Sequence, residues 1–193
     1  MTFFQIGYIY EMDAALRDRI KNVTAARKSR DENKEFVLAH PDTIPDWLAF
    51  AFETDDRDSH LACWVLELVA NERLELFAPH LDFICPRLHM LNDESAIRPL
   101  AKICLLLVVS NFKKTGKILL SNDNLKLITE ACFDWLIGDA KVASKVHAMR
   151  TLYLIGNQID WIHPELRMIV EKEYPHQSAA YKVGAREILG KTK

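Results

Sequence analysis

Five cations stand out among the side chains that could do chemistry, because the spacing of the chain repeats around them. Arg98, Lys145 and Lys182 each begin a short recurring pattern, and Lys102 and Arg186 follow Arg98 and Lys182 by four residues. Side chains four apart share one helix face. If the segments stack as helices, these cations form a column that could meet phosphates or an acidic partner. The column has a structural use as well, as a ladder in which Asp93 pairs with Arg98 and Asp139 with Lys145. Exposed ion pairs contribute only about 0–1 kcal/mol each, so such a ladder would fix register more than stability.

Other reactive residues form weaker constellations. His80, Cys85 and His89 have ligand-like spacing, but a structural zinc site needs four ligands in tight pairs, and Pro86 interrupts this set. His60, His147 and His163 have no serine or cysteine placed beside them in a nucleophile motif. His163 precedes Pro164 and reads as a helix start. No glycine-rich phosphate loop, Walker sequence or paired catalytic carboxylates occur, which argues against a nucleotide-dependent enzyme. No cofactor is expected. The four tryptophans (Trp47, Trp64, Trp135, Trp161) are spread along the chain, as packing between successive units would require.

These residues are positioned by a repeat. Four copies read Ser59-His-Leu-Ala-Cys-Trp-Val-Leu, Arg98-Pro-Leu-Ala-Lys-Ile-Cys-Leu, Lys145-Val-His-Ala-Met-Arg-Thr-Leu and Lys182-Val-Gly-Ala-Arg-Glu-Ile-Leu. Each sets an alanine four residues before an aliphatic: Ala62/Leu66, Ala101/Leu105, Ala148/Leu152 and Ala185/Leu189. The offsets of 39, 47 and 37 residues match a two-helix repeat, whose pairs bury their faces only by stacking on neighbours.

Helix signals fill in the rest. A stripe of Met12, Leu16, Ile20, Val23 and Arg27 predicts one helix to about Arg30, with Asp31 capping a second to Ala39. Thr43-Ile-Pro-Asp46 opens a helix through Ala51, and Asp55 to Asp58 precedes one over 59–70. Pro79 opens a helix over 80–91, and Asp93-Glu-Ser95 one to about Ser110. Ser121 to Asn124 opens 125–137, stopped by Gly138. Helices over 141–155, from His163 to about Tyr174, and over 178–189 complete the chain. Pro86 and Pro99 are expected to kink their helices. Ile103 to Val109 are seven consecutive apolar residues, which predicts a helix buried on all sides. No segment alternates with period two long enough for a strand.

The 193 residues carry 25 basic and 27 acidic side chains, a formal net charge of −2. A nucleic-acid domain usually shows a basic excess. Cys63, Cys85, Cys104 and Cys132 sit inside apolar helical patterns with no CxxC pair, so reduced thiols and a cytoplasmic location are expected. Residues 1–11 are apolar but lack a signal peptide's charged start and are too short to cross a bilayer. They are expected to be either a mis-called start or a disordered extension of a single helical domain over 12–193, made of an N-terminal cap (12–40) and repeats (41–190). No membrane association is expected.

The turn aspartate, the basic residue after it and the alanine–aliphatic positions resemble HEAT or armadillo repeats, through Asp93 to Arg98 and Asp139 to Lys145. In the last pair Pro175-His-Gln-Ser178 replaces the aspartate. The resemblance covers about residues 41–190. It implies an all-α, right-handed α-α superhelix of about four helix pairs behind an N-terminal cap, binding a protein or peptide partner on its concave face. Helical-repeat DNA glycosylases, which grip a duplex in a basic groove, give the alternative of nucleic-acid binding through Arg98, Lys102, Lys145, Lys182 and Arg186. The segments Ser95-Ala-Ile-Arg-Pro99, Glu130 to Asp139 and Asp160-Trp-Ile-His-Pro-Glu-Leu166 resemble short bacterial helical proteins labelled adenylosuccinate lyase. The Ser-Ser-x-Met-Pro-x-Lys-x-Asn signature of that lyase superfamily is missing from this sequence.

Overall fold

The computed structural model describes residues 12–113, 116 and 118–192; the expected extension over 1–11 lies outside them. The described residues form ten α-helices joined by loops and 3-10 turns, with no strand among them, so the protein is all-α. The helices are α1 (Ala14–Lys21), α2 (Arg27–Ala39), α3 (Ile44–Ala51), α4 (His60–Glu72), α5 (Leu81–Ile84), α6 (Glu94–Phe112), α7 (Asn122–Ile137), α8 (Val142–Gly156), α9 (Ile162–Glu173) and α10 (Ala179–Lys191).

The even-numbered helices pack in succession, α2 on α4, α4 on α6, α6 on α8 and α8 on α10. The four copies of the repeat fall on α4, α6, α8 and α10. Ala62, Ala101, Ala148 and Ala185 are all fully buried, and Leu66 and Leu152 with them. A methyl side chain at these points lets helix axes approach, and the aliphatic one turn later fills the space beside it. At α10 the approach is closer still: a Cβ on Gly184 would sit 2.9 Å from Val146 Cγ2 of α8. The odd-numbered helices cover this row, with α3 on α4, α7 on α8 and α9 on both α8 and α10. One apolar core runs from Leu16 to Ile188.

Helix ends follow their capping chemistry. Asp93 accepts from Ser95 N, Ser121 from Asn124 N and Ser178 from Tyr181 N, each satisfying a first-turn amide that has no partner within the helix.

Three expectations are corrected. The stripe from Met12 to Arg27 is two helices, because Asn22 closes α1 with its side-chain amide on Asp18 O, and Ser29 Oγ accepts from Thr24 N across the gap. Asp31 is held by Arg27 one turn earlier and caps nothing. Over 74–90, a 3-10 turn (Leu74–His80), the single turn of α5 and another 3-10 turn (Cys85–Met90) replace the continuous helix. Pro79 and Pro86 have no amide to donate, and the chain there closes tighter turns.

Helix α6 behaves differently. It is long and apolar enough to span a bilayer, but Leu100, Ala101, Ile103, Cys104, Leu107 and Val108 are buried between α4 and α8. All four cysteines are free and buried. Loss of solvent pushes the thiols of Cys85 and Cys132 up to about 12, and raises Cys63 and Cys104 too.

Candidate functional site

The site begins with a proline. Pro99 lies inside α6 and has no N–H to donate to the carbonyl of Ser95, four residues back. Trp64 of α4 supplies the missing donor: its indole Nε1 donates to Ser95 O at 3.1 Å. The indole is thereby fixed across the α4–α6 junction, half-buried. His60 packs edge-on to it at 4.8 Å, and the Arg30 guanidinium of α2 lies 6.0 Å from its centre.

Around this indole is a cleft of about 300 Å³ lined by Ala25, Arg30, Trp64, Glu94, Ser95, Arg98, Lys141 and Ala143. Glu94, the first residue of α6, caps α8. It accepts from Lys141 N at 3.0 Å and from Ser144 Oγ at 2.5 Å. Arg98, one turn further along α6, meets Glu67 of α4 at 3.0 Å.

The five cations of the repeat register do not share one environment. Arg98 lies in the cleft wall, paired with Glu67. Lys145 is buried in α8, 7% exposed. Lys182 Nζ donates to Pro175 O at 3.2 Å and lies over the Tyr174 ring, away from the cleft. Lys102 and Arg186 have no ion pair among the described residues, and Arg186 is exposed. Neither aspartate pairing of the ladder forms. Asp93 caps α6 and faces His60 at 3.6 Å, while Arg98 takes Glu67. Among the described residues Asp139 and Lys145 make no ion pair. The cross-helix pairs that do form are Lys34–Glu72, Glu67–Arg98 and Arg150–Glu187, each between successive even-numbered helices.

His147 of α8 faces the remaining positive charge. Burial first, then Lys102, Arg150 and Arg98, lower its pKa to about 4. Its ring is neutral at physiological pH, and Nδ1 is sealed from solvent with no hydrogen-bond partner among the described residues. The other histidines have structural settings. His60 Nδ1 meets Arg57 O at 2.9 Å, and His163 Nε2 meets Tyr153 O at 2.9 Å while stacking on that tyrosine. His80, Cys85 and His89 do not converge, and no group of three metal-ligating side chains occurs among the described residues.

Sequence reasoning finds Arg98 but misses Arg30, Trp64, Glu94 and Lys141 as its neighbours. Arg30 precedes the first repeat copy, and Lys141 lies ahead of the pattern in α8. The one usable signal is Pro99, since a proline inside a helix frees a carbonyl that some other donor must satisfy. Comparison with protein-family models, curated proteins and solved structures finds no match for this chain.

Proposed function

We propose that this chain is a non-catalytic helical-repeat scaffold, a right-handed superhelix of HEAT-like pairs behind the α1–α2 cap. It binds a protein or peptide partner along the face of its even-numbered helices. The observation that carries this reading is the fall of all four repeat copies on helices that pack in succession, with their alanines buried at the crossings. Such a row presents one long surface built from many small units. Four buried, free thiols suit a reducing compartment such as the cytoplasm.

Nucleic-acid binding through the five-cation column has less support. Arg98 is paired, Lys145 is buried and Lys182 serves a backbone carbonyl. A lyase would need converging acid–base groups, and the half-buried His147 is neutral and faces cations.

A photo-crosslinking amino acid placed at Ser95, in the cleft, and in a second variant at the exposed Lys126 of α7, tests the scaffold reading. In cells of the source organism a discrete crosslinked protein is expected from position 95 and not from 126. Equal labelling from both positions, or none from 95, overturns it.

A further inference from the structure

The cleft around Trp64 differs from the rest of the face in its balance of charge. Three cations line it, Arg30, Arg98 and Lys141, against one carboxylate, Glu94. Both Glu94 oxygens are occupied by the α8 amide and Ser144. Arg30 and Lys141 have no ion pair among the described residues, and Arg30 Nε has no hydrogen-bond partner there either. The Arg30 guanidinium is held by the indole rather than by an acid.

Along the same helices some cations are matched and others, Lys102 and Arg186, have no ion pair among the described residues. Lys34 meets Glu72 at 2.8 Å and Arg150 meets Glu187 at 2.9 Å. Arg98 is matched in the same way by Glu67, so the free positive charge in the cleft is that of Arg30 and Lys141. A nucleic-acid strand needs a continuous track of cations for successive phosphates, and Glu67, Glu72 and Glu187 interrupt any such track. A peptide needs only one well-placed charge pair beside an aromatic anchor.

We propose that this cleft is the anchor point of an acidic peptide segment: one carboxylate is held by Arg30 and Lys141, beside the Glu67-paired Arg98, and a neighbouring side chain packs on the exposed part of the Trp64 indole. Pro99 is a positioning residue, because the carbonyl it frees holds the indole in place. This assignment rests on the scaffold reading and names the chemistry of its partner.

The test follows the indole N–H resonances in ¹⁵N-labelled protein, which has four tryptophans, with Trp64→Phe identifying the relevant peak. The probe is an acetylated, amidated peptide of four glutamates around a central tyrosine. The Trp64 resonance is expected to move and saturate while that of exposed Trp161 stays fixed, with binding weakening as salt rises. Arg30→Gln and Lys141→Gln should each weaken binding about fivefold, and Lys182→Gln should leave it unchanged. Retained dispersion of the other indole peaks verifies that each variant is folded. The proposal is overturned if Trp64 does not respond, if the corresponding lysine peptide moves it equally, or if a short oligothymidylate binds more tightly than the glutamate peptide. A silent cleft together with specific crosslinking from Ser95 would remove the carboxylate assignment and leave the scaffold standing.

Discussion

Helix α6 and the segment Leu74–Met90 begin with similar materials and end differently. Both are rich in apolar residues and both contain proline, yet α6 runs unbroken for 19 residues while 74–90 breaks into two 3-10 turns and one turn of α-helix. The difference lies in what surrounds each proline. Pro99 sits between two long neighbours, α4 and α8, which bury the helix along its length, and Trp64 satisfies the carbonyl it frees. Pro79 and Pro86 lie seven residues apart in a segment packed mainly on α4 and α7. There Arg87 serves the carbonyl of Phe83 within the segment itself, at 2.9 Å, and covers the Phe83 ring. A proline inside a helix costs about 3 kcal/mol. Packing on both sides offsets that in α6, and 74–90 adopts a backbone that avoids it.

This contrast predicts a gradient in sensitivity. Leu100→Ala, at a fully buried position of α6, should cost about 3 kcal/mol, seen as a lower urea midpoint. Leu76→Ala, in the half-buried turn segment, should cost about 1 kcal/mol. Equal costs would remove the distinction between the regions. At the end of α8, Gly156→Ala would put a Cβ 2.3 Å from the His163 ring. That ring must then leave Tyr153, costing about 2 kcal/mol by overpacking, with loss of the stacked His163 resonance in proton spectra.

The junction itself responds more gently. Trp64→Phe keeps an aromatic ring but leaves Ser95 O without its donor, for about 1 kcal/mol. Pro99→Ala should change stability by less than about 1 kcal/mol, since the new amide competes with the indole for one carbonyl, but it should shift the Trp64 indole resonance. Pro86→Ala tests the other region. Hydrogen exchange should show new protection over 83–90 as α5 extends, and absence of protection would mean that packing rather than proline sets the turns there.

The sequence makes the even-numbered row legible because its alanine–aliphatic spacing is the packing itself. A helix crossing needs a small residue and then a large one, and both are visible in four copies. Capping at Asp93, Ser121 and Ser178 is legible for the same reason, being chemistry between near neighbours. The break at Asn22 is hidden, because a Leu16–Ile20–Val23 stripe reads alike whether the helix continues or turns. The pairing of the cations is hidden too. Glu67, Glu72 and Glu187 hold no common place in the repeat register, so their partners are set by how far each helix slides on the next. Arg30 reaches Trp64 from outside the repeats altogether, and only the stacking of α2 on α4 brings it there.

An effect confined to acidic pH lies where α6 and α8 place like charges together. The pKa of His147 is about 4 in the folded protein, against 6.5 for an ordinary imidazole. The unfolded chain therefore takes up a proton before the folded one does, and stability contributed at neutral pH is lost as the pH falls from 6.5 towards 4. Below that window both states are protonated and this contribution is constant. His147→Asn should flatten the slope of the urea midpoint within the window and leave it unchanged above pH 7. Lys102→Gln removes the largest cause after burial, so the native His147 titration followed by NMR should move upward while remaining below 6.5. A titration unmoved by Lys102→Gln would assign the depression to burial together with Arg150 and Arg98, the last of which also lines the Trp64 cleft.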